Sequence, residues 1–288
     1  MENEEIQSLR DEVRRLRKRL SELTPSLDTL LRRRGFRIYK KEPSDDLVIP
    51  SKRFISDYYE MLKRYSFRLF LRDVIKHQNS FTKEQVTRYA TSDVTESYID
   101  FLLSKKIIEP VTKYEFRLKK RPIKSFGETL EWFVCEILKR EFSVEATWGV
   151  KFKRPKVGGD YDLIAKIDGS ILYMEIKSSP PKQIYQSEIA GFFDRVFDLS
   201  PEIAIFFMDT ELRMKDKIVP MFEEELKNRF FMRGPVGETL SPPRIETAQV
   251  LRLEKELFHV WNKIFIVNAK DSIINNIEKV LSSYFRKD

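Results

Sequence analysis

Two alternating apolar runs, DLIAKI starting at Asp162 and ILYMEIK ending at Lys177, flank an Asp168-Gly169 pair. Asp-Gly between such runs specifies a two-residue β-hairpin, because the favoured turn needs positive φ at both central residues. A two-residue turn also fixes the register: Ile167 faces Ser170, and counting outward places Asp162 opposite Glu175. Their Cβ atoms are then expected roughly 4.5–5.5 Å apart on one face, a like-charge pairing that destabilises a sheet unless something offsets it. A divalent cation would do so. Lys177, two residues past Glu175, projects from the same face, and by the same register Asp160 faces Lys177 as its expected ion-pair partner.

Such a grouping meets the needs of phosphodiester hydrolysis, which are a hydroxide made near neutral pH, a Lewis acid on the phosphoryl oxygen and help for the departing alkoxide. Mg²⁺ or Mn²⁺ held by Asp162 and Glu175 would supply these, with the backbone carbonyl of Ile176 completing the shell, since hard cations accept such ligands. Lys177 would orient or help deprotonate the attacking water and stabilise charge on phosphorus.

The strings GGDYDLIA and EIKSS, with twelve residues between Asp162 and Glu175, resemble the D…ExK signature of the PD-(D/E)xK superfamily, which includes archaeal Holliday-junction resolvases and restriction-endonuclease-like enzymes. The resemblance implies an α/β fold with a mixed sheet flanked by helices, and a nuclease activity. It makes Asp162, not Asp160, the metal ligand. GETLE matches the superfamily's G-x-x-hydrophobic-E pattern on the preceding helix, which implies a role for Glu131, with Glu128 one turn earlier as the fallback. A polar residue on the following helix is matched by Gln183 or Gln186. Arg195 could reach a phosphate there, or simply form a surface pair with Asp194. Ser178-Ser179-Pro180-Pro181 is stiffer than the strand end of the family.

The surrounding pattern is βα. A helix is expected over about 125–141, a strand over 144–152, a buried strand at EIAIFFMD, a helix over 215–228, a strand at KIFIVNA and a closing helix over 272–285. Residues 233–243, rich in Gly and Pro, read as a loop. His259 reads as a packed residue and the single cysteine, Cys135, as a small buried one, which excludes an internal disulfide.

Upstream, Ile6, Leu9, Val13, Leu16, Leu20 and Leu23 alternate at spacings of three and four, the a and d positions of a short coiled coil. Glu5 and Glu12 at g, with Arg10 and Arg17 at e, favour a parallel homodimer through residues 5–31. Pro25 should interrupt the helix, with Thr24 capping a second one that ends near Gly35. KEPSDDLVIP reads as a linker. Helices near 54–65, 67–77, 82–89 and 94–104, then extended pieces at 107–111 and 114–118, follow. SFTKEQVTRYATSDVTESYIDFLLSKKIIEP resembles the helix-turn-helix and wing entry of winged-helix domains.

Of the net +8, residues 1–50 carry +2, 51–124 carry +8 and 125–288 carry −2. That surplus is the footprint of a surface that meets phosphate, or a solvated face. The helix that would enter a groove turns Asp93, Glu96 and Asp100 outward, so backbone contact is expected instead from Arg64, Arg68, Arg72 and Lys76 and from Lys113, Arg117, Lys119, Lys120, Arg121 and Lys124. His77 reads as a helix end. The division is therefore 1–50 coiled coil and linker, 51–122 winged-helix-like, and 123–288 nuclease-like. No apolar stretch is long enough to span a membrane and nothing marks export, so the cytoplasm is expected. The leading expectation is a Mg²⁺- or Mn²⁺-dependent nuclease acting on nucleic acid, DNA first. A non-cleaving adaptor that keeps the fold is the alternative.

Overall fold

The computed structural model describes residues 12, 15, 19, 24–153, 156–231 and 249–286. The heptad positions from Ile6 to Leu23 and the loop at 233–243 lie outside the described residues.

Helix α1 (Leu27–Arg33) is capped by Ser26, whose Oγ accepts from Thr29 N at 3.3 Å, and not by Thr24 as expected. Its Leu27 and Leu31 pack with Val150 and Phe152, so this part of the expected dimer segment is buried against its own chain. Strand β1 (Ile38–Lys40) pairs with β5 (Glu145–Phe152), which draws residues before the expected linker into the main sheet.

Helices α2 (Ile55–Leu62), α3 (Tyr65–Lys76), α4 (Lys83–Val86) and α5 (Ser92–Ser104) follow, with a small sheet of β2 (Phe81–Thr82), β4 (Glu115–Leu118) and β3 (Ile108–Pro110). Residue 122 marks no gap in the core. Tyr58 and Tyr59 of α2 lie against Trp132 and Phe133 of α6 (Gly127–Glu141), at ring-centroid distances of 6.1 and 5.6 Å.

Among the described residues the main sheet has eight strands, in the order β1, β5, β6 (Tyr161–Ile167), β7 (Ser170–Lys177), β8 (Ile203–Met208), β11 (Ile264–Asn268), β10 (Leu257–Val260) and β9 (Leu251–Glu254). Strands β6 (Tyr161–Ile167) and β7 (Ser170–Lys177) form the expected hairpin, Ile167↔Ser170 through Leu163↔Met174. Asp168 and Gly169 take φ of 47° and 83°, as the favoured turn demands. Helix α7 (Gln186–Leu199) returns the chain to β8 (Ile203–Met208), which runs parallel to β7. Helix α8 (Ile218–Phe231) precedes the strands β9 (Leu251–Glu254), β10 (Leu257–Val260) and β11 (Ile264–Asn268), and helix α9 (Ile273–Phe285) closes the fold. The β9–β10 hairpin has no counterpart among the expected elements.

The two sheet faces bury separate cores. Leu172, Met174 and Ile176 of β7 pack with α6, whereas Ile171 and Tyr173 pack with α7 and α8. Along β5 the faces exchange: Trp148 belongs to the first core and Val150 to the second. Strict alternation would keep them together. The exchange occurs at Gly149, at φ 56°, where the β5–β6 ladder skips from Trp148↔Leu163 to Val150↔Tyr161.

Helix α3 is tied to the end of β8 by a buried ion cluster. Arg68 Nε and Nη2 lie 2.9 and 2.8 Å from Asp209 Oδ1, and Arg72 Nη2 takes Oδ2. Arg68 also donates to Leu62 O and Lys63 O, at 2.6 and 3.1 Å. At 1% exposed, Arg68 is no surface phosphate contact, which corrects the expectation for it. A guanidinium at helical spacing on a basic face resembles a solvated stripe in sequence; only the fold shows it turned onto a carboxylate 141 residues away.

Candidate active site

The site lies where the β6–β7 ladder ends. Past Leu163↔Met174, the next free β7 amide, Ile176 N–H, donates to Asp162 Oδ2 at 2.7 Å, so a side chain supplies the acceptor where backbone pairing stops. Burial, followed by the charge of Glu175, pushes the Asp162 carboxyl up to about 8; the Ile176 amide acts against this.

Glu175 is 2% exposed and its charge is matched by the protein's own cations. Arg195 Nη2 and Lys177 Nζ lie 2.8 and 2.9 Å from its Oε1, Arg195 Nε donates to Oε2 at 3.2 Å, and Tyr173 Oη donates to Oε2 as well. Burial alone would raise this carboxyl, yet Lys177 and Arg195 bring it below its ordinary range. The closeness of two acids is thus offset by a guanidinium and an ammonium. Lys177 Nζ also lies 3.2 Å from Glu188 Oε1 on α7. Burial works to lower the lysine, and Glu175 and Asp162 outweigh it, so the ammonium stays charged.

Glu131 reaches the site from α6 on the other side of the sheet. A Cβ at Gly149 would come within 3.8 Å of Glu131 Oε2, so the carboxylate lies over the bare position where β5 exchanges faces. Gly149 is opposite Asp162 in the register. Glu131 makes no hydrogen bond or ion pair among the described residues. Burial first, then the charge of Asp162, pushes it up to about 10.

Several expected roles are corrected. Asp160 pairs with Lys151 at 2.9 Å and not with Lys177, because it precedes β6 and meets the neighbouring strand β5. Glu128 accepts from Asp46 N at 2.8 Å and so anchors the segment before α2. Gln186 Nε2 donates to Met221 O at 3.0 Å, toward α8 and away from the site. Gln183 is exposed in a 3-10 turn. Asp194 pairs with Arg229 at 2.8 Å, which leaves its neighbour Arg195 to the site and removes the surface-pair reading.

Of the expected nucleic-acid contacts, Arg117 lies 2.8 Å from Glu109 Oε1, Lys120 Nζ is tied to the carbonyls of Ser44 and Leu47, and Arg121 Nη1 is held by Leu118 O. Lys113 and Lys119 are exposed, and Arg72 divides itself between Asp209 and a surface pocket. Cys135 is fully buried, and His259 Nδ1 accepts from Asn262 N at 3.1 Å in β10. His77 caps α3.

Tyr173, Glu188 and Asp209 escaped the sequence reading. Tyr173 is two residues before Glu175, and strand alternation places both on one face. Nothing local signals Asp209.

Among the described residues, no three carboxylate, imidazole or thiol groups converge as a ready metal cluster. The donors fit a divalent cation in part. Asp162 and Glu131 are a mutually repelling acid pair beside a position without a side chain. Glu175, as placed, has both oxygens taken.

No family model matches the chain, and no curated protein matches it. Similar solved structures include Can2 from Sulfobacillus thermosulfidooxidans in complex with cyclic tetra-adenylate, 16% identical with a TM-score of 0.42, and protein VC1899 from Vibrio cholerae, 12% identical with a TM-score of 0.46. The matches cover 63% and 70% of this chain and 50% and 56% of those proteins, so the chain spans about half of their length.

Proposed function

We propose that this chain is a metal-dependent nuclease hydrolysing phosphodiester bonds in DNA, with Asp162, Glu175, Lys177 and Glu131 as its working residues. The observation that supports it is that Asp162, bonded to the Ile176 amide at 2.7 Å, is held beside the buried Glu175–Lys177 pair, whose charged atoms lie 2.9 Å apart. Mg²⁺ or Mn²⁺ would be held by Asp162 and Glu131, with Glu175 and the Ile176 carbonyl as further donors. When bound, such an ion supplies Lewis acidity and a lowered pKa for coordinated water.

The remaining work falls to the chain itself. Lys177 is held as an ammonium, so its role is to stabilise negative charge developing on the phosphoryl oxygens; a neutral amine acting as base is disfavoured. Arg195 and Tyr173 hold the Glu175 carboxylate, and Glu175 with Glu188 fixes the position of Lys177 Nζ. Burial and the neighbouring carboxylates keep Glu131 protonated near neutral pH. Residues 51–122 are proposed as a winged-helix-like module, and the heptads up to Leu23 as a dimerising coiled coil in a cytoplasmic protein.

A second reading has its own support. Because Glu175 is saturated by Arg195, Lys177 and Tyr173, the fold also suits a non-cleaving nucleic-acid-binding adaptor. Cleavage of structured DNAs in Mg²⁺ and in Mn²⁺ separates the two, using wild type, Asp162→Asn, Glu175→Gln and Lys177→Met, each first checked for a native melting transition. Losses of about 100-fold or more are expected for each variant. Equal cutting by all four proteins would remove the site assignment, and salt-dependent binding without turnover would favour the adaptor.

A further inference from the structure

At the same end of the sheet, on the face opposite Lys177, a surface pocket of about 330 Å³ is lined by Arg72, Lys76, Lys124, Ser125, Phe126 and Ser178, among others. No carboxylate is among its lining residues. Ser178 directly follows Lys177, and the carboxyl ends of parallel strands β7 and β8 open here, where ligands of open α/β sheets bind.

The pocket is positively charged for a structural reason. Two guanidinium groups, Arg68 and Arg72, share the one carboxylate of Asp209 and leave a positive excess at the pocket wall. Arg72 Nε is buried with no acceptor among the described residues, so Asp209 uses only part of this group. Lys76 and Lys124 are exposed at the rim, and Lys124 uses only its backbone N–H on Asp46, at 2.8 Å. The acid on α3, Asp73, is not among the residues that line the pocket. Ser125 and Ser178 add hydroxyl donors suited to a phosphate oxygen.

We propose that this pocket binds a backbone phosphate of the nucleic acid next to the one presented to Lys177. The identity of the strand as substrate rests on the nuclease reading; the pocket's affinity for a phosphodiester does not. Asp209 N–H donates to Lys177 O at 2.8 Å, so the carboxylate that holds Arg72 in place belongs to the residue bonded to the catalytic strand. Pocket and site are thereby kept in fixed register.

The test is fluorescence anisotropy of a labelled duplex oligonucleotide and its single strand, titrated with the full chain in EDTA across a salt series. Lys76→Ala/Lys124→Ala should weaken binding and make the log–log salt slope shallower by about 2 on duplex. A control, Lys255→Ala/Lys263→Ala, removes two exposed lysines from the β9–β10 and β10–β11 turns and should leave the slope unchanged. The pocket is refuted if wild type binds neither oligonucleotide, if the Lys76/Lys124 variant keeps the wild-type slope, or if the control lowers it equally. The expected slope change without any metal-dependent cleavage would support the pocket and overturn the nuclease reading. Cleavage with an unchanged slope would do the reverse.

Discussion

Arg195 Nη2 lies 2.8 Å from Glu175 Oε1, so a helix cation neutralises the strand acid that was expected to need a metal ion. With side chains 12% and 3% exposed, the pair is sheltered from solvent screening. Removing one partner of such a pair costs about 3–5 kcal/mol, and removing both costs less. Arg195→Met should therefore destabilise more than Arg195→Met/Glu175→Gln, and urea unfolding of the four proteins of the cycle measures the coupling. Additive effects of the two substitutions would mean that the contact carries no energy.

Glu131→Gln should stabilise the metal-free protein while lowering cleavage. Glu131 and Asp162 bind protons more tightly folded than unfolded. Their contribution is fully present below the ordinary carboxylate range, near ~4, and is lost as pH rises through about 8 for Asp162 and about 10 for Glu131. The melting temperature of wild type in EDTA should thus fall from pH 6 to pH 9 more steeply than that of Glu131→Gln, which has one fewer such group. Parallel pH profiles would show that Glu131 bears no such charge burden.

Asp160 and Asp162 should behave oppositely. Asp160 is 46% exposed by side chain where it meets Lys151, and a surface pair is worth at most about 1 kcal/mol. Asp160→Asn is expected to melt and cut as wild type does, whereas Asp162→Asn should lose cleavage. Loss of activity in the first variant and not in the second would exchange the two assignments.

Gly149→Ala should cost about 1–3 kcal/mol, because φ is 56° there and a Cβ would collide with Pro43. Since Glu131 lies over that position, cleavage should fall by more than the loss of folded protein explains. A variant with native stability and full activity would show that the exchange of faces in β5 tolerates a side chain.

The hairpin was legible because its information is local. Asp168-Gly169 fixes the turn, the turn fixes the register, and the register brings Asp162 to the position opposite Glu175. What surrounds those acids is not local. Arg195 is 20 residues from Glu175 in sequence, and it turns to the site while its neighbour Asp194 turns to Arg229. Asp160 departs from its expected partner because the β6–β7 register ends at Leu163↔Met174 and Lys151 on the neighbouring strand β5 captures it. Strand β1 was hidden by its three-residue length, and Arg68 by standing on a face where Arg64 and Lys76 are exposed.

The cluster of Arg68, Arg72 and Asp209 carries a consequence for how this chain can vary. Changing Asp209 to a neutral residue strands two guanidinium groups out of water, and changing Arg68 alone weakens the hold on an acid that has no exposed surface. Drift at one of these three positions must be answered at another, so they are expected to be inherited together, or to be replaced together by apolar residues of similar volume.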